Sequence, residues 1–174
     1  MSTLVVALIV VLAIAAVMFL LVWLHHRQNK KRTEEMLRHF SELGSEYSLS
    51  FTGQEVFRNG IIGVDGIKGK LLFLENDSTD NKHWHLINLK EAKSCRVRKL
   101  YVTAGIGDPA AKNTETYLHA IILEFDFKSS DRTVALPFYK HISHSIQAAP
   151  ELEAKAKNWA SVLSKMIIKE VRSA

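Results

Sequence analysis

The sequence predicts an α+β protein that is mainly β: a long apolar N-terminal helix, a small antiparallel curved sheet or barrel, and an amphipathic helix packed over it. Three observations carry this. Leu4 to Leu24 is an unbroken run of 21 apolar residues. From Tyr47 to Tyr139 apolar residues recur mostly with period two in short runs divided by polar turns, and beyond Pro150 the period becomes helical.

At about 1.5 Å per residue a helix over 4–24 spans roughly 30 Å, the thickness of a bilayer's hydrocarbon core. The expectation is a single transmembrane helix over residues 1–24. A cleaved signal peptide fits poorly: Met1-Ser2-Thr3 has no basic side chain, and His25-His26-Arg27 stands where small residues should be. A buried core helix rarely runs this long without one polar residue. Arg27, Lys30, Lys31 and Arg32 crowd the exit of the run and would face anionic lipid headgroups. Basic flanks stay in the cytoplasm. The expected topology is therefore single-pass in a bacterial inner membrane, with the N-terminus outside and the domain inside, and Trp23 at headgroup level.

The net charge of +5 is mostly this flank, because removing its four basic residues leaves 19 basic against 18 acidic. That balance argues against a nucleic-acid partner. Cys95 is the only cysteine, which excludes an intramolecular disulfide and a thiolate zinc cluster. The sequon Asn76-Asp77-Ser78 reads as a polar turn, since a cytoplasmic domain is not glycosylated.

Residues 25–44 form the basic flank and a short helix. Thr33-Glu34-Glu35 resembles an N-cap with acids in the first turn; Met36, Phe40 and Leu43 recur at helical spacing, and Gly44 is a natural stop. The remaining residues, 45–174, make one domain. Ser48 to Thr52 alternates weakly. Gly60–Asp65 and Lys70–Glu75 flank Gly66-Ile67-Lys68-Gly69 as a hairpin, and His83–Leu89 and Cys95–Val102 read as two more strands. A polar loop is expected from Thr103 to Thr116. Ile121, Leu123, Phe125 and Phe127 then share one face of a strand that turns back into Arg132–Tyr139, where Pro137 marks an edge or an end. In the last helix Pro150 suits the first turn. Leu152, Ala156, Trp159, Leu163, Met166 and Ile167 make one stripe, with Glu151–Lys155 and Glu153–Lys157 pairs beside it.

This order of strands, the terminal helix with its Trp159, and the run V-A-L-P-F-Y before it resemble the pleckstrin-homology-like (PH-like) domains of bacteria and other organisms over roughly residues 60–168. The resemblance implies a small antiparallel PH-like barrel capped by the helix. It also implies that basic residues of the first hairpin loop, where Lys68 and Lys70 occupy a comparable place, can hold phosphates. Many bacterial relatives bind no lipid.

Several residue patterns could carry chemistry. His83-Trp84-His85 places two imidazoles on one strand face, as a metal site needs, but a third ligand would have to come from His119, His141 or His144. Residues 90–99 carry a net charge of +4, and Arg96 and Arg98 share a strand face; with Lys68 and Lys70 they form the candidate ligand surface. Gly105-Ile106-Gly107-Asp108-Pro109-Ala110 matches a dinucleotide fingerprint in letters only, because no βαβ context surrounds it. Cys95 alternates with Val97 as a packed residue does, although Arg96 could activate a thiolate. No catalytic residue and no cofactor is expected. The sequence therefore predicts a membrane-anchored cytoplasmic binding or scaffold module, whose partners are the bilayer and another membrane or cytoplasmic protein. The alternative is a membrane-tethered metal-dependent hydrolase using His83 and His85.

Overall fold

The computed structural model describes residues 3–57, 60–76, 81–105, 114–129 and 132–172. The chain divides into two compact units, Met1–Glu42 and Leu43–Ala174. Helix α1 (Thr3–Glu46) runs without interruption from the apolar stretch through the basic flank. Among the described residues no helix is long and apolar enough to cross a membrane, which overturns the expected single-pass transmembrane anchor. The apolar run is not a separate element, because strong helix formers carry α1 on through charged residues to Glu46. Leu12, Ile14, Met18, Phe19 and Trp23 are exposed on it.

Gly44 does not stop the helix. A Cβ there would meet the Phe51 ring at 2.8 Å, so glycine serves close packing. The stop comes four residues later. Ser48 takes the left-handed conformation, φ 51°, while Leu49 N–H donates to Gly44 O (2.7 Å) and Ser48 N–H to Ser45 O (2.9 Å), the paired bonds of a Schellman turn. This turn occupies the start of the strand expected over Ser48 to Thr52, and β1 forms instead at Gly53–Phe57.

Six strands follow: β2 (Gly60–Asp65), β3 (Lys70–Asn76), β4 (Lys82–Asn88), β5 (Ala92–Gly105), β6 (Thr114–Phe127) and β7 (Thr133–Lys140). They make two antiparallel sheets, in the orders β1-β2-β3-β4 and β5-β6-β7, and not the one curved sheet or barrel that was expected. Strand β4 pairs with β3 and β5 with β6, so sheet hydrogen bonding is not continuous from one sheet to the other. A short 3₁₀ turn (Ile146–Ala148) leads into α2 (Ala149–Arg172).

The inward faces of both sheets meet α2 in one core. Ile62, Val64, Leu71 and Phe73 come from the first sheet, Leu123, Phe125, Leu136 and Phe138 from the second, and Ala156, Trp159 and Leu163 from the helix. Phe57 and Phe138 stack across the sheets at 5.1 Å. The stripe read along α2 is the stripe it buries, with Met166 partly covered at its margin. Pro137 lies in edge strand β7 beside a register shift opposite Ile121 and Ile122, where a missing N–H costs no ladder bond. The loop expected from Thr103 to Thr116 is shorter than its composition suggested: β5 and β6 pair as far as Gly105 and Thr114.

Candidate functional site: a histidine-lined groove

The basic surface expected at Arg96 and Arg98 is already neutralised. The β5–β6 register sets Arg96 opposite Glu124 and Arg98 one position along. Arg96 Nη2 reaches Glu124 Oε1 at 2.7 Å, Arg98 Nη1 reaches Oε2 at 2.7 Å, and Asp126 adds a contact to Arg96 at 3.5 Å. Burial raises the Glu124 carboxyl, but hydrogen bonds from both arginines outweigh it and hold the group below its ordinary value. Glu124 is a sheet brace that the sequence reading missed. Its position two residues from Asp126 on the outward face was the available signal.

Lys68 and Lys70 belong to the β2–β3 hairpin, the second hairpin and not the first; the turn between β1 and β2 lies outside the described residues. Lys68 Nζ donates to Ser48 O at 2.6 Å. The turn itself is organised by Asp65, which is 1 % exposed and was not singled out from sequence. Its Oδ1 accepts from Ile67 N–H (2.9 Å) and Lys68 N–H (2.8 Å), and its Oδ2 from Ser50 N–H (2.8 Å). Gly69 closes the turn at φ 65°.

Cys95 is buried, and burial pushes its thiol up to about 12, so it is a packed side chain rather than a nucleophile. In the first unit Arg27 lies over the Trp23 ring at 5.5 Å, Lys30 is 3.9 Å from Glu34, and Lys31 and Arg32 are exposed. The glycine motif beyond Gly105 and the sequon beyond Asn76 lie outside the described residues.

His83 and His85 are exposed near one end of β4, the edge strand of its sheet. Burial, followed by the charges of His83 and Arg132, lowers the His85 value. The described residues contain no group of three or more His, Cys, Asp or Glu that could hold a metal ion. What the fold gathers around the pair is a groove of about 840 Å³. Strand β4 contributes Lys82 to His85, β6 contributes His119 and Ile122, and β7 with the turn after it contributes Pro137, Lys140 and Ile142. Ile142 is 79 % exposed, a large apolar side chain to leave in water, whereas Trp84, on the strand face opposite His83 and His85, sets its ring 5.6 Å from that of Tyr47. Among the described residues the one carboxylate in the wall, Glu75, sits 2.6 Å from Lys140 Nζ.

A second cleft, of about 790 Å³, lies between β1, the β2–β3 turn and α2, and is lined by Gln54, Val64, Leu89, Asn158, Trp159 and Val162 among others. Trp159 Nε1 donates to Glu55 Oε2 at 2.7 Å, and Lys155 reaches the other oxygen of Glu55 at 3.4 Å. Its charged groups are thus committed to holding α2 on β1. The histidine-lined groove, with imidazoles and an exposed isoleucine at its surface, is the better candidate.

No family model, curated protein or solved structure matches the chain.

Proposed function

We propose that residues 43–172 form a binding module that works by contact, holding a partner protein in the groove between β4 and the second sheet. The observation that carries this reading is the exposed Ile142 set with Leu100, Ile122 and Pro137 among polar side chains in one concavity, the composition of recognition surfaces rather than of scattered surface apolar residues. Four strands, then three, then a terminal helix support kinship with PH-like domains, a fold that hosts many unrelated functions. A photo-reactive amino acid placed at Ile142, and separately at Val162 in the other cleft, tests the reading in the producing cell. A recurrent adduct from position 142 that is absent from position 162 is the expected result. Identical adducts from both positions, or none from either, would overturn it.

A further inference from the structure

The groove's chemistry also defines what it selects. We infer that it takes an extended, acidic segment of a partner protein, laid along the open edge of β4 with its apolar side chains against Ile122, Pro137 and Ile142. This rests on the binding-module reading and goes beyond it in naming the ligand class.

Three observations converge. The first is charge. Lys82 and Lys140 line the groove, and the imidazoles of His83, His85 and His119 each add at least one ring N–H donor. Arg132 lies near enough to act on His85. Among the described residues that line the groove the one carboxylate is Glu75, which pairs with Lys140. Lys82 and the imidazole N–H groups are then what a carboxylate would meet, whereas a basic segment would meet like charge at Lys82.

The second is shape and polarity. Leu100, Ala120, Ile122 and Pro137 line the groove beside Ile142, so a purely polar anion would leave this surface unused. A chain alternating acidic and apolar side chains, as an extended peptide does with period two, can satisfy both.

The third is the strand edge. Sheet order β1-β2-β3-β4 leaves β4 paired on one side, and its residues 82–85 are all exposed. By strand geometry its outward main-chain groups are spaced to accept an added strand, the mode in which main-chain bonds supply affinity and alternate side chains supply specificity. The other sheet's edge at β5 is different: Ser164 of α2 donates to Cys95 O at 3.3 Å and Lys99 pairs with Glu153 at 2.7 Å, so the helix occupies it.

The test uses the full chain and two fluorescently labelled, end-capped decapeptides, one alternating glutamate with leucine and the other glutamine with leucine. Fluorescence anisotropy at about 50 mM salt should show the glutamate peptide binding at least tenfold more tightly than the glutamine peptide, and the gap should close at about 500 mM salt as screening rises. Lys82→Glu should remove most of the gap. Ile142→Glu should weaken the glutamate peptide at least tenfold, and Val162→Glu should leave both peptides unaffected. Because all three substitutions are at exposed positions, a changed circular-dichroism spectrum is not expected. Equal affinity for the two peptides, binding of neither, or a preference that survives Lys82→Glu would each overturn the inference. The positional adduct at Ile142 would still stand in those cases, so the two claims fail separately.

Discussion

Replacing Asp65 should destabilise the domain more than its short side chain suggests. The carboxylate is 1 % exposed and accepts three main-chain N–H bonds, two from its own turn and one from Ser50, fifteen residues away. Hydrogen bonds to a charged group contribute about 1.5–3 kcal/mol each when net, but water can replace part of the turn's share. Asp65→Ala should therefore cost about 2–4 kcal/mol, and Asp65→Asn less, because a single amide oxygen can still serve Ile67 and Lys68 while its NH₂ opposes Ser50 N–H. With a urea slope of about 1–3 kcal/mol/M, the alanine variant's midpoint should fall by roughly 1–2 M at pH 7. The hydrogen bond from Lys68 N–H, then that from Ser50, holds the Asp65 carboxyl below its ordinary 3.8. A depressed carboxyl contributes stability that is complete above the ordinary value and is lost as pH falls through the folded one. The parent should thus lose this contribution below about pH 4, and the gap between parent and alanine variant should narrow there. A midpoint within about 0.3 M of the parent at pH 7, or a gap that widens in acid, would refute the reasoning.

Two further outcomes follow from the packing. Trp159→Ala should cost about 3–5 kcal/mol, as large aromatic truncations do, and strips the indole donor from Glu55; Trp159→Phe, which keeps most of the apolar contact, should cost less, and urea midpoints separate the two. Cys95, with its thiol near 12 and buried, should resist a thiol-specific disulfide reagent at pH 8 in the folded chain and titrate as one equivalent once guanidinium unfolds it. Rapid reaction of the folded chain would show that the strand around Cys95 is open.

Much of the strand pattern was legible. The β2–β3 hairpin shows in Gly60–Asp65 and Lys70–Glu75, β6 shows in the alternation from Ile121 to Phe127, and the buried stripe of α2 can be read residue by residue, because each is governed by local period. The failures occurred where a nonlocal contact decides. Gly44 looks like a helix stop in isolation, yet the Phe51 ring across the turn is what demands glycine there. A fully apolar stretch at 4–24 suggests its own boundaries, yet α1 ignores them. Two sheets instead of one curved sheet or barrel depend on where strands stop pairing, which no single strand encodes.

The candidate site illustrates the same limit more sharply. Arg96 and Arg98 stand out in a linear reading because nothing within residues 90–99 balances them except Glu91. Only the β5–β6 register, bringing Glu124 from 28 residues away to 2.7 Å, shows that their charge is spent on structure. His83 and His85 stand out for the opposite reason: their i, i+2 spacing is local, so it suggested a metal pair. Their neighbours in space come from β6, β7 and the turn after it and include His119, Lys140, Pro137 and the exposed Ile142, and among the described residues no three potential ligands come together to hold a metal ion. Imidazoles among cationic and apolar groups suit recognition of an anion better than retention of a cation, since a metal would be repelled by the same lysines that attract a carboxylate. Charge read along the chain points to Arg96 and Arg98, while charge read across the fold sets Glu124 and Asp126 against them.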